Sequence, residues 1–232
     1  MLSCLKRVYK RIRFVVPSAT VLMLHHVTDA PEHKRSILMS TDRFKELIDS
    51  FDVFVSLSQA LKIKAQKRLA VTFDDGLEDV FDIAYPLLRK RNVPFTVFIA
   101  PDLLDTEGYI TTEQLKKMAE DPLVTIGSHC LSHVPIKGLP KEKQRKELFE
   151  SKAMLERILN VPVNYLAYPY GQIDRQGIKL LQDNKGYDYA FIASGGPLGR
   201  TPKNRFKTPR LRVDDKKFDE TMQILRSVYG VK

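Results

Sequence analysis

The chain has 232 residues, 43% of them hydrophobic, and a formal charge of +10 at pH 7. That length and apolar content suit one domain with a full core, and no apolar run approaches the length of a membrane span. Cys4 and Cys130 are the only cysteines, which excludes a disulfide framework and leaves two free thiols.

The basic excess is densest over residues 1–18. Lys6, Arg7, Lys10, Arg11 and Arg13 are interleaved with Leu2, Leu5, Val8, Tyr9, Ile12 and Phe14. At helical spacing this is an amphipathic basic segment, suited either to lie on an anionic membrane surface or to pack loosely as a solvated arm. It does not read as a signal peptide, because no continuous apolar stretch leads to a small-residue cleavage site. The expected location is cytoplasmic or peripheral on the inner membrane surface. Nucleic acid is not an expected partner, since finger spacing, an aromatic RNA-binding motif and a clear recognition helix are all absent. The oligomeric state is not legible.

From residue 19 to 232 strands and helices alternate. Val21–Leu24 reads as a strand, and Ser40-Thr41-Asp42 caps a helix carrying Phe44, Leu47 and Ile48. Val53–Leu57 is a second apolar run, after which Ser58 opens a short helix through Leu61. Leu69–Phe73 precedes a helix around Val80–Arg91, and Phe95–Ala100 is a strand between two prolines. Thr111–Ala119 is helical, and Leu123–Gly127 is the next strand. A long helix over Lys141–Asn160 leads to Tyr165–Ala167. Arg175–Asn184 is helical, Tyr189–Ala193 a strand, Lys207–Val213 extended and Phe218–Val228 a last helix. Repeated βα units of this kind imply a largely parallel sheet, closed or nearly closed. The loop Gly195–Gly199 lacks the strand–helix context of a phosphate loop.

Two motifs carry chemistry. The run Leu69–Phe73 is stopped by Asp74, Asp75 and Gly76, which sets two carboxylates at the C-terminal end of a buried strand, where α/β proteins keep their sites. Adjacent carboxylates are costly unless a metal or a proton separates their roles; a polar turn is the plainer alternative. The second motif, Ser128-His129-Cys130-Leu131-Ser132-His133, also follows an apolar run. Its histidines share a face if the segment takes a helical turn capped by Ser128. Two imidazoles and one carboxylate make a facial metal site with open positions.

Together with Tyr168-Pro169-Tyr170-Gly171, these motifs resemble, in order and context, those of the polysaccharide deacetylases, the family-four carbohydrate esterases. The resemblance covers roughly Val21 to Val213. It implies a single-domain distorted (β/α) barrel with one divalent metal at the strand ends, held by Asp75, His129 and His133. Zinc is expected ahead of cobalt, nickel, manganese or iron. It also implies that Asp74 is the general base, that the Tyr170 backbone N–H helps hold the oxyanion, and that Pro169 sets that loop. His25-His26-Val27 resembles the N-terminal histidine segment of poly-β-1,6-N-acetylglucosamine deacetylases, with Leu24 in place of a tyrosine. No histidine follows His133, so His25 is the candidate general acid. Ala167 stands where most of the family has an arginine, and Thr208-Pro209-Arg210 resembles a segment that places Arg210 as its replacement.

The implied reaction is metal-dependent hydrolysis of N-acetyl groups on an acetylated glycan, releasing acetate. Alternatives are O-deacetylation of the xylan-esterase kind, a carbohydrate-binding pseudoenzyme on the same barrel, and a non-haem iron oxygenase, which shares the ligand types but usually sits on an all-β scaffold.

Overall fold

The computed structural model describes residues 19–30, 37–62, 67–195 and 204–230. The basic 1–18 segment, His33 and most of the Gly195–Gly199 loop lie outside the described residues. Nine strands are present among the described residues: β1 Thr20–Leu24, β2 His26–Val27, β3 Leu38–Met39, β4 Leu69–Phe73, β5 Phe95–Ile99, β6 Val124–Ser128, β7 Tyr165–Ala167, β8 Tyr189–Phe191 and β9 Leu211–Arg212. The helices are α1 Thr41–Asp49, α2 Leu57–Leu61, α3 Tyr85–Lys90, α4 Thr112–Ala119, α5 Lys141–Leu159, α6 Arg175–Asn184 and α7 Phe218–Tyr229.

Seven strands form one sheet in the order β8-β7-β6-β5-β4-β1-β9, and every pairing in it is parallel. The small β2–β3 pair stands apart. One short segment joins the two ends of the large sheet. Thr208 bridges Phe191 in parallel, while Leu211 and Arg212 pair with Leu22 and Met23. The result is a distorted barrel, closed by a few residues rather than by a full strand.

The pleat divides the apolar residues into two cores. Leu22, Leu24, Val71, Phe73, Val97, Ile99 and Leu166 face outward and pack with Phe44, Leu88, Leu115, Leu148 and Leu225 of the surrounding helices. The residues between them, Val21, Ala70, Phe98, Ala167 and Phe191, form a smaller cluster with Leu57, Ala60 and Leu61 of α2. Gly127 is required there, since a Cβ at that position would lie 2.5 Å from the Phe98 ring.

Two local readings are corrected. The short helix read as opening at Ser58 begins at Leu57, inside the apolar run whose Phe54 bridges Leu69, and Ser56, not Ser58, caps α2 through a capping box with Gln59. The helix read around Val80–Arg91 opens as a π-helical turn over Val80–Ala84 before α3. Pro86 has no N–H to give to the ladder, and the turn widens around it.

Candidate metal centre and active site

All parallel strands end at one rim, so the side chains that follow them converge. His25 follows β1, Asp74 and Asp75 follow β4, His129 follows β6, and Tyr168–Gly171 follows β7. All of these but Pro169 line a cavity of about 390 Å³ together with Met23, His133 and Arg212.

Asp75, His129 and His133 offer ligand atoms that all lie within 4.8 Å of one another. His129 Nε2 is 3.2 Å and His133 Nε2 3.0 Å from Asp75 Oδ1. His129 Nδ1 lies 2.8 Å from the Ala167 carbonyl. A carbonyl only accepts, so that nitrogen carries the hydrogen and the lone pair of the neutral ring is on Nε2. Asp75 Oδ1 is buried and receives no hydrogen bond. A lone pair facing an unsatisfied carboxylate oxygen is poor protein chemistry but good cation chemistry. Burial raises the Asp75 carboxyl, yet the His129 and His133 imidazoles outweigh it and hold the group well below the usual range. Burial would lower the His129 ring, and the Asp74 and Asp75 carboxylates outweigh that in turn and raise it. The cluster therefore draws positive charge into itself, and the donor set fits a divalent metal.

The histidines do not meet through a helical turn. Cys130 (φ 63°) and His133 (φ 59°) are left-handed, and the segment after β6 is an irregular loop. The His129 N–H donates to the Ile99 carbonyl at 2.7 Å, which continues the β5–β6 ladder and fixes the first candidate ligand. Asp75 is also left-handed (φ 73°), a conformation that aspartate tolerates better than most residues. Its carboxylate thereby faces the histidines while that of Asp74 faces the barrel interior.

Asp74 meets Arg210 in a two-pronged pair. Arg210 Nη1 and Nη2 donate to Asp74 Oδ1 and Oδ2, each at 2.6 Å. Arg210 is 1% exposed, donates from Nη1 to Thr72 Oγ1 at 3.2 Å, and lies over the Phe98 and Phe191 rings. Ala167 belongs to the same interior cluster as those rings. Burial raises the Asp74 carboxyl, but the Arg210 guanidinium and then His129 outweigh it, so the group stays below the usual carboxylate range.

His25 Nε2 lies 4.0 Å from Asp74 Oδ2. Burial lowers its pKa more than the Asp74 and Asp75 carboxylates raise it, which favours the neutral imidazole. His26 faces the other way and meets Asp79 Oδ2 through Nδ1 at 2.6 Å. Tyr170 is left-handed (φ 58°) and 62% exposed, with its ring 5.2 Å from the His133 ring.

Sequence reasoning missed the groups behind these residues. Gln144, Glu147 and Ser151 form a buried polar stripe on α5. Their signal was three polar residues at helical spacing on the face that also carries Leu148 and Leu155. Arg212 was missed as well; it lines the cavity while its Nε donates to Asp214 Oδ2.

A parallel barrel with a carboxylate–histidine cluster at its strand ends has the layout of a metal-site hydrolase. The polysaccharide deacetylase family profile matches residues 62–190, and the chain belongs to that family. Members are generally metal-dependent, and Asp75, His129 and His133 form a candidate site for that metal. A poly-β-1,6-N-acetyl-D-glucosamine N-deacetylase of Staphylococcus epidermidis is 25% identical over 187 residues, 72% of this chain and 63% of that protein. Two solved structures share the fold. IcaB from Ammonifex degensii has a TM-score of 0.78 at 22% identity, over 92% of this chain and 97% of that one. The Streptococcus pyogenes deacetylase PplD has a TM-score of 0.77 at 21% identity, over 88% and 96%. The chain spans 53% and 63% of the length of two curated relatives that it matches.

Proposed function

We propose that this chain hydrolyses N-acetyl groups on an acetylated polysaccharide and releases acetate, with a divalent metal held by Asp75, His129 and His133. The observation that carries the reading is the convergence of this ligand set with the Asp74–Arg210 pair and His25 on one cavity. Family membership supports it. The name of the Staphylococcus epidermidis relative favours a β-1,6-linked N-acetylglucosamine polymer as substrate. Zinc suits a site of two histidines and one carboxylate, and cobalt, nickel, manganese and iron accept the same donors.

The bound cation would supply Lewis acidity toward the acetyl carbonyl and a more acidic water. The protein groups do the rest. Arg210 fixes both oxygens of Asp74, which takes a proton from the attacking water. His25, whose burial favours the neutral ring and which lies 4.0 Å from Asp74, receives that proton in turn and delivers it to the departing nitrogen. An amine leaves poorly without protonation, so this one proton makes the reaction go. The Tyr170 N–H donates to the developing oxyanion. The exposed Tyr170 ring forms an apolar wall on which a sugar face can rest.

The purified protein should contain about one divalent metal per chain. His129→Ala and His133→Ala should each lose most of it. Equal metal content in wild type and both variants would sink the assignment. Acetate release should then be measured across N-acetylated and O-acetylated glycans. Release from O-acetyl xylan alone would favour the esterase alternative, and release from none would favour a binding pseudoenzyme.

The 1–18 segment is proposed to hold the enzyme on an anionic membrane surface. Deleting residues 1–13 should leave deacetylation intact and weaken sedimentation with vesicles that contain phosphatidylglycerol. Unchanged sedimentation would remove that role.

A further inference from the structure

The α5 helix buries a carboxylate that, among the described residues, holds a loop. Glu147 is 8% exposed. Its Oε2 accepts from the Leu131 N–H at 2.9 Å and the Ser132 N–H at 3.0 Å. Its Oε1 accepts from Ser132 Oγ at 2.7 Å. Leu131 and Ser132 are the two residues immediately before His133. The loop enters through left-handed Cys130, whose N–H donates to Ser128 Oγ at 3.2 Å. Ser128 Oγ is itself 2.7 Å from Ser151 Oγ, one helical turn further along α5.

The two histidines are thus held differently. His129 is fixed by the sheet, through its own N–H and its ring nitrogen. His133 has no such strand contact, and its position follows from the loop that carries it. A backbone with two left-handed residues, Cys130 and His133, is unfavourable without outside support. Three hydrogen bonds converging on one buried side chain supply it.

We infer that Glu147 is the positioning residue for His133, setting the metal affinity of the site from a helix that touches neither metal nor substrate. The inference rests on the metal reading above and deepens it. A competing account makes Glu147 a packing residue that stabilises the fold without regard to the metal. The two differ in a measurable way. A positioning residue affects metal affinity specifically, whereas a packing residue lowers the stability of the metal-free and metal-bound protein alike.

The test uses full-length protein stripped with a chelator and titrated with zinc against a chromophoric competitor, with Tm measured before and after loading. Glu147→Ala should bind zinc about 10–100-fold more weakly, as is usual when an outer partner of a ligand is lost. Its metal-induced rise in Tm should shrink accordingly. Glu147→Gln should come close to wild type. Its amide oxygen can accept from both N–H groups, and its NH2 can donate to the Ser132 hydroxyl. Wild-type zinc affinity in Glu147→Ala, or a glutamine variant as weak as the alanine one, would overturn the inference. Should Glu147→Ala fail to fold, Ser132→Ala carries the test. It removes a single bond to Glu147. A several-fold weaker affinity at unchanged metal-free Tm supports positioning, and unchanged affinity refutes it. If wild type itself binds no zinc, the metal reading fails first, and the two failures are thereby distinguished.

Discussion

Asp74→Asn is expected to keep its metal and lose about 10²–10⁴ in kcat, the scale of a missing general base. The retained metal would separate it from the His129 and His133 variants, because Asp75 and not Asp74 belongs to the candidate ligand set. Its partner should behave in a related but distinguishable way. Arg210 is buried and grips both Asp74 oxygens. Arg210→Met leaves that carboxylate without its cation, a loss that typically costs about 3–5 kcal/mol for a buried pair. With Arg210 gone, burial dominates and the Asp74 pKa rises. The acidic limb of the kcat profile should therefore move to higher pH. The sign for stability follows from the same shift. A carboxyl lowered in the folded state stabilises fully above its unfolded value of about 3.9, and that contribution is lost as pH falls through the lower folded value. Wild type should thus resist mild acid better than Arg210→Met. In a double-mutant cycle the two substitutions should be strongly non-additive in stability, because they remove the same pair. Additive losses and an unmoved acidic limb would take Arg210 out of the site.

The large features of the fold were legible because they rest on local patterns. Leu69–Phe73 and Tyr165–Ala167 are strands with the bounds read from their apolar runs, since a buried parallel strand is apolar on both faces. The apolar run Val53–Leu57 shows the limit of that signal. An apolar run does not reveal whether it pairs along its length, and the stronger signal was Ser56 with Gln59 three residues on. In the site, the residue types and their order were legible, but the mechanism that joins them was not. The spacing of His129 and His133 invited a helical turn, yet the loop has left-handed residues and is held by Glu147 from another element. No local periodicity encodes a partner across that distance. Glu147 itself looked like one more charge on a helix rich in lysine, arginine and glutamate. Only the packing of α5 against the loop distinguishes it.

His25 and His26 offer the sharpest test, because they are neighbours with opposite surroundings. Along β1 the alternation that sends Val21 into the interior cluster and Met23 into the cavity carries His25 to the same side. His26 points away and ties β2 to Asp79 at the start of the π-helical turn. His25→Ala is expected to lose about 10²–10⁴ in kcat on an N-acetyl substrate, with metal content preserved. On an aryl acetate it should lose far less, since a phenolate leaves without being protonated. That contrast isolates proton delivery from any general damage to the cavity. His26→Ala is expected to do the reverse. It leaves Asp79 without its buried partner, which costs on the order of 1–3 kcal/mol in stability, while the folded fraction keeps its turnover. Were His26→Ala the slow enzyme and His25→Ala near wild type, proton delivery would have to come from the other face of β1. Were both near wild type in kcat, the proton reaching the amine would not come from a histidine. Asp74 would then have to deliver the proton it takes from water, and an Asp74→Asn variant would lose the aryl acetate reaction to a smaller extent than the amide one.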